Sequence, residues 1–305
     1  ANDLNVSTNE LRFSSLDIAL DVTDADGDAL TYSIVNNAAN GTTTLNGDVV
    51  TYVPTTDWNG EDSFTFKAND GTVDSNTATV TITVVAVNDA PVTTDASVST
   101  NEDTNILIDL SSNISDIDDP ITDGSEQTNK VTSLIAGLPE NGSLYEWSEG
   151  SNIPKGNPLQ VGSAFNNSAG VSKLWYTPNA NWNGTDTFTF KANDGTDDSN
   201  IATVNVSVAA VNDAPVTQNV SFTTDEDSPY TDSYTAYVSD VDGDALTITA
   251  VTSPTNGTAT CNDTSTDCTY TPNQDFNGTD SFTYKVNDGE LDSNISTVSV
   301  TVNAI

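Results

Sequence analysis

The chain has 305 residues, with 45 Asp+Glu against 7 Lys+Arg, no histidine, and a formal net charge of −38. Such a field repels nucleic-acid phosphates and anionic lipid and leaves cations as the natural partner. No stretch approaches the ~18 apolar residues of a membrane span and no charged-then-apolar leader is present, so neither nucleic-acid binding nor membrane insertion is expected. Without histidine, histidine-activated nucleophiles and histidine-based zinc chemistry are excluded. Carboxylate-pair hydrolysis is the enzyme chemistry that composition still allows.

In chain order, the first clear pattern is period-two alternation over 63–68 and 78–84. It sets Phe64, Phe66, Ala68, Val80, Ile82 and Val84 on one face, as in a strand pair packed on one side. The sequence Val-Asn-Asp-Ala-Pro-Val follows at 87–92 and returns at 211–216, dividing the chain into three units, 1–88, 89–212 and 213–305. The same strand pair recurs at 188–192 with 204–208 and at 282–286 with 298–302, and no segment carries a helical period. An all-β chain of three tandem Ig-like Greek-key β-sandwiches in a linear array is expected.

Tyr52, Tyr176 and Tyr270 each stand seven residues before an Asn-Gly turn, and Trp58, Trp182 and Phe276 directly precede it. Their recurrence points to core and turn packing. Asp62, Asp186 and Asp280 read as local caps on their own backbone. Unit two is the longest, with 124 residues from Asn88 to Asn212 against 94 from Asn183 to Asn277, and the excess is placed at about 146–174. That stretch brings Trp147. Trp175 stands where the other units have Thr51 and Thr269, beside core-facing Tyr176, so it points to the opposite face, where either it stacks on a sugar or grips a peptide, or the insertion is a longer hairpin packed over it. Cys261 and Cys268 flank a hairpin and are read as a disulfide, since two thiols without histidine cannot complete a zinc site. This favours an oxidising, extracellular setting.

The carboxylates keep a register. Glu10 to Asp24, Glu102 to Asp116 and Glu226 to Asp240 are each 14 apart, while Asp70 to Asn88 and Asp194 to Asn212 are each 18 apart. Strand direction then gathers Glu10, Asn88, Asp89, Asp116, Asp118 and Asp194 at the first junction. Glu102, Asp103, Asn212, Asp213, Asp240, Asp242 and Asp288 gather at the second. Asp24, Asp26 and Asp70 form half a site at the free end of unit one, and the chain reads as a fragment of a longer array. Clustered carboxylates repel by roughly 3 kcal/mol per pair at ~5 Å in an effective dielectric of about 20, and a bridging cation removes that cost. Many hard oxygen ligands in flexible geometry suit Ca2+.

These units resemble cadherin repeats, specifically the bacterial cadherin-like tandem repeats of large secreted RTX-type adhesins. Ala68-Asn69-Asp70-Gly71, the strand 77–84 and the linker 87–91 are similar to the end of a cadherin repeat and its linker. By that resemblance Glu10, Glu102 and Glu226 match the family's basal glutamate. Asp24/Asp26, Asp116/Asp118 and Asp240/Asp242 match its Asp-x-Asp pair, and Asp70, Asp194 and Asp288 its upper aspartate. The family's Asp-Arg-Glu triplet is missing, with Asp57, Glu61 and Asp62 as the substitutes on offer, and Leu11 replaces Asp103 and Asp227. Both departures imply fewer ions and a weaker first junction.

Three functions follow as expectations. The first is a calcium-rigidified extender and adhesion module of a bacterial cell-surface or secreted adhesin, whose partners are the neighbouring repeats of its own chain. The second is a carbohydrate- or peptide-binding module acting through the unit-two insertion, or an accessory module of an extracellular polysaccharide-active enzyme. The third, catalysis, is disfavoured because the strongest carboxylate sets recur in every unit. A surface adapted to high salt is the rival account of the acids.

Overall fold

The computed structural model describes residues 1–10, 14–118, 131–154, 156–165, 171–262 and 264–305. Unit one contains β1 (Leu4–Asn9), β2 (Leu16–Ala19), β3 (Thr31–Asn36), β4 (Gly41–Asn46), β5 (Val49–Pro54), β6 (Gly60–Asn69) and β7 (Ala78–Val85). One sheet has the order β1-β7-β6-β3, with β1 parallel to β7, and the other has the order β2-β5-β4. β3 and β6 pair across an excursion through the second sheet, which is the Greek-key crossing.

Unit two repeats this plan with β8 (Val92–Thr93), β9 (Ala96–Asn101), β10 (Ile106–Asp109), β11 (Ile114–Ser115), β12 (Thr132–Gly137), β13 (Gly142–Glu146), β14 (Lys173–Pro178), β15 (Gly184–Asn193) and β16 (Ala202–Ala209). Unit three does so with β17 (Val216–Thr217), β18 (Val220–Asp225), β19 (Tyr230–Ser233), β20 (Val238–Ser239), β21 (Thr247–Thr252), β22 (Gly257–Cys261), β23 (Asp267–Pro272), β24 (Gly278–Asn287) and β25 (Ser296–Asn303). The described residues contain no α-helix, only two single 3-10 turns. Cys261 and Cys268 are disulfide-bonded across the β22–β23 pair.

Alternating Thr and apolar residues make these strands, because β-branched side chains fit a half-buried pleat. Along β7, Ala78, Val80, Ile82 and Val84 are buried while the threonines between them face outward. Each unit has its own core, in which Phe64 and Phe66, Phe188 and Phe190, and Phe282 and Tyr284 are fully buried. Burial of each such ring contributes about 1.5–3 kcal/mol.

Asp62, Asp186 and Asp280 do more than cap their own backbone. Asp62 accepts N–H bonds from Ala39 (3.0 Å), Asn40 (2.9 Å) and Ser63 (2.8 Å), and the buried Tyr52 hydroxyl donates to its Oδ2 at 2.9 Å. Tyr176 with Asp186 and Tyr270 with Asp280 repeat the bond at 2.9 and 3.0 Å. Each aspartate thus pins the loop before β4, β13 or β22 to the opposite sheet. The tyrosine ring lies so close to that loop that a Cβ on Gly41 would sit 2.4 Å from a Tyr52 ring carbon, so only glycine fits.

Unit two is lengthened at two places, not one. Between β13 and β14 the chain runs from Glu146 to Lys173, where unit one needs only the Gly47-Asp48 turn. Asp116 to Thr132 also spans 16 positions against 7 from Asp24 to Thr31. Residues 119–130, and 155 and 166–170 of the expected insertion, lie outside the described residues, as does Leu11.

Burial raises the Asp62 carboxyl, but the N–H donors of Ala39, Asn40 and Ser63 and the Tyr52 hydroxyl outweigh it and hold the group below its ordinary value. A depressed folded value means that the stabilisation is full above the unfolded value of about 3.9 and is lost as pH falls through the folded value. Tyr52→Phe removes a donor to a charged acceptor and is expected to destabilise unit one by about 1.5–3 kcal/mol at pH 7, with the deficit shrinking at a pH below the ordinary carboxylate value of about 3.9. Urea denaturation of wild type and variant at both pH values measures this difference.

Candidate metal centre

Each linker is clasped from both sides. Upstream, the buried Glu10 accepts the Val87 N–H through Oε1 at 2.8 Å, and Glu102 accepts that of Val211 at 2.7 Å. Glu226 repeats the bond with Ile305 at 2.9 Å. Downstream, Asn88 Nδ2 donates to Asp194 (2.9 Å) and Asp197 (3.2 Å), and Asn212 Nδ2 donates to Asp288 (2.9 Å). The Asp89 N–H donates to Asp118 at 2.6 Å and the Asp213 N–H to Asp242 at 2.8 Å. Pro91 and Pro215 follow as buried residues, and Thr93 and Thr217 then tie the chain to Asn200 and Asn294.

Among the described residues, the ion pairs join Lys67, Lys173, Lys191 and Lys285 to Asp74, Asp109, Asp198 and Asp292, away from Asp89 and Asp213. Asp89 is raised by burial and then by Asp57, Asp118, Glu10 and Asp116, all of the same sign. Asp213 is raised by burial and then by Asp103, Asp242, Glu102 and Asp240. Three oxygens within these sets, Glu10 Oε2, Asp213 Oδ2 and Asp240 Oδ2, are buried without a hydrogen-bond partner. A buried, unpaired carboxylate oxygen is costly. Asp240, Asp242 and Asp244 each place a carboxylate oxygen within 4.8 Å of the others, close enough to share one ion. The donor set is all oxygen, which fits a hard cation.

The structure brings Glu10, Asn88, Asp89, Asp116, Asp118 and Asp194 to the first linker, and Glu102, Asp103, Asn212, Asp213, Asp240, Asp242 and Asp288 to the second. At the pole of unit one opposite its linker, Asp24 Oδ1 accepts the N–H groups of Asp26, Gly27 and Asp28, and Asp70 Oδ1 those of Thr72 and Val73. Asp240 repeats the first pattern in unit three, and Asp194 and Asp288 repeat the second.

Asp244 and Asp197 were not singled out from the sequence, and Asp57 was only a possible substitute. Asp57 and Asn181 occupy the same left-handed turn, with φ of 57° and 56°. At the first linker this turn supplies a carboxylate. At the second it supplies Asn181, whose N–H donates to Asp103 at 3.1 Å, and Asp103 brings the charge. Among the described residues, each linker thus gains one carboxylate from a different turn, Asp57 beside Asp89 and Asp103 beside Asp213.

Trp175 is covered, as the packed-hairpin reading expects and against the outward-stacking one. It lies on the sheet face opposite Tyr176, between Leu107 and Tyr145 of the neighbouring strands, yet is only 8% exposed, with its indole Nε1 buried. Strand alternation fixes the face but not what covers it. Trp147 is half-buried, with the Lys173 ammonium 5.4 Å from its ring centre and also paired with Asp109 at 3.2 Å.

A profile of the bacterial Ig domain matches residues 1–83, 88–207 and 212–301. No curated protein matches. Among solved structures, three extracellular repeats of mouse cadherin-23 align at 16% identity over 99% of this chain and 96% of theirs, with a TM-score of 0.57. Domains 3–6 of protocadherin gamma B2 align at 15% identity over 99% of this chain and 72% of theirs, with a TM-score of 0.54. The chain spans about two fifths of an endo-fucoidan hydrolase of glycoside hydrolase family 107, with 20% identity, coverage of 95% of this chain and 42% of that one, and a TM-score of 0.31. The likenesses to cadherin and protocadherin concern the fold.

Asp57→Asn should weaken cation binding at the first linker about tenfold, and Asn181→Asp should strengthen it at the second by a similar factor. One added carboxylate ~5 Å from a divalent ion is worth at most roughly 7 kcal/mol at an effective dielectric of about 20, before screening and repulsion from the neighbouring acids reduce it. Calorimetric titration of each variant with calcium checks both signs.

Proposed function

The chain belongs to the bacterial Ig domain family, and from that premise we propose that it is a non-catalytic extender of a bacterial surface or secreted adhesin, stiffened by calcium at its two linkers. The observation that carries this reading is the set of buried, unpartnered oxygens of Glu10, Asp213 and Asp240 inside clusters of like charge. Calcium takes about 6 to 8 oxygens, and each linker offers that many from Glu, Asp and Asn side chains and linker carbonyls. Glu10 and Glu102 would hold the ion from the upstream unit, Asp89 and Asp213 from the linker, and Asp116, Asp118 and Asp194 or Asp240, Asp242 and Asp288 from the downstream unit.

Without the ion, repulsion opposes the clasp that the backbone N–H groups make, and the linker bends. With it, charge and geometry agree and the units lock. Extracellular modules bind calcium at ~10⁻⁴ to 10⁻³ M, so stiffening would accompany arrival outside the cell. The cadherin-like fold and the disulfide support an extracellular setting. No helix among the described residues is long and apolar enough to cross a membrane.

Calcium at one hundred times its dissociation constant should stabilise the chain by about 2.7 kcal/mol, a rise of several degrees in Tm. Calorimetric melts in calcium, in chelator, and in sodium chloride at matched ionic strength test this. A Tm that rises with sodium chloride and ignores calcium would sink the calcium reading and leave the acids as salt adaptation.

A further inference from the structure

The three units share a seam between the edge strand of the larger sheet and the β4-type edge of the smaller one, and each treats it differently. β3 and β12 hold the same register on their neighbours, Thr31↔Asn69 to Ile34↔Phe66 and Thr132↔Asn193 to Ile135↔Phe190, each followed by a bulge. In unit two the open edge of β12 is taken by residues 162–165. Ile135 N–H donates to Ser163 O (3.0 Å), Gly162 N–H to Ile135 O (2.8 Å) and Phe165 N–H to Ser133 O (3.0 Å), around an antiparallel bridge from Leu134 to Ala164. Phe165 enters the core edge-on to Phe190, at 6.3 Å between ring centres, and is 2% exposed. In unit three the disulfide-closed hairpin does the covering: the Ile248 N–H donates to Ser265 O at 3.4 Å, leaving a cavity of about 260 Å³ beside Cys261.

Among its described residues, unit one has neither device. Its hairpin closes on Gly47 and Asp48, and an open cavity of about 640 Å³ remains, lined by Leu30, Thr31, Tyr32, Leu45, Gly47 and Asp48. Tyr32 and Ile34 stay partly exposed, although their counterparts Ile248 and Ile135 are buried. By the shared register, Ile34 and Tyr32 turn their outer backbone groups toward this space, as Ile135 and Ser133 do.

We infer that this seam is a docking groove for an extended peptide from a partner protein, which adds a strand to β3 and seats one large apolar side chain where Phe165 sits in unit two. Edge strands with unpaired N–H and C=O groups template such addition, and pockets for alternate side chains give it specificity. The net charge of −38 and Asp48 at the rim select lysine or arginine on either side of that apolar residue. None of the linker carboxylates lines the groove, so its occupation needs no calcium at the linkers.

The test uses the intact 305-residue chain and a fluorescein-labelled synthetic peptide, Val-Gly-Ser-Ala-Phe bracketed by two lysines at each end, in calcium and in chelator. Saturable binding in both is expected. Replacing the peptide phenylalanine by serine should weaken it about ten- to a hundredfold, the value of a buried ring. N-methylation of the peptide's glycine and phenylalanine amides should abolish it, and hydrogen exchange should show new protection at Ile34. Absence of saturation overturns the proposal. So does equal binding of the serine and N-methylated peptides, which would be charge attraction alone, or protection confined to another strand.

Discussion

Repulsion among carboxylates at the two linkers is the constraint that shapes this chain, because the fold works to bring those groups together. Backbone N–H groups of Val87, Asp89, Val211 and Asp213 are spent on Glu10, Asp118, Glu102 and Asp242, and the linker asparagines on Asp194 and Asp288. The bonds to Glu10, Asp118, Glu102 and Asp242 place negative groups beside Asp89 or Asp213, which burial and like charge then push upward. Solubility does not need such an arrangement, since dispersed acids achieve it without crowding. The crowding makes sense when a counter-charge completes it.

The sandwiches are scaffolds for that arrangement. The Tyr–Asp bond between sheets, repeated in Tyr52–Asp62, Tyr176–Asp186 and Tyr270–Asp280, fixes the loops at the end of each unit where Trp58, Trp182 and Phe276 sit. The neighbouring left-handed turn then holds Asp57, Asn181 or Asp275. Exchange of the acid between this turn and the one at Asp103 shows that position in space, more than position in sequence, is what the linker keeps. The seam between the sheets is under no such constraint, and the units diverge there.

Much of the fold was legible in the sequence because its signals are local and repeated: alternation in β6 and β7, turn residues, and the duplicated linker. The gathering of Glu10, Asp89, Asp116, Asp118 and Asp194 was legible too, because equal spacing along strands of equal length carries residues to the same pole. Asp57 needed the left-handed turn that swings it to the linker, which spacing does not encode. The burial of Trp175 was one of two readings left open, because alternation reports a face and not its cover. The second lengthening of unit two and the strand added at 162–165 depend on long-range pairing, for which Gly162 to Phe165 carries no distinctive pattern.

Small-angle X-ray scattering of the chain in millimolar calcium and in excess chelator tests the central claim most directly, since it reads the angle and stiffness of both linkers at once. The account predicts a longer maximum dimension and the profile of a stiff rod in calcium, collapsing to a flexible, more compact average in chelator. Superimposable profiles in the two conditions would contradict it.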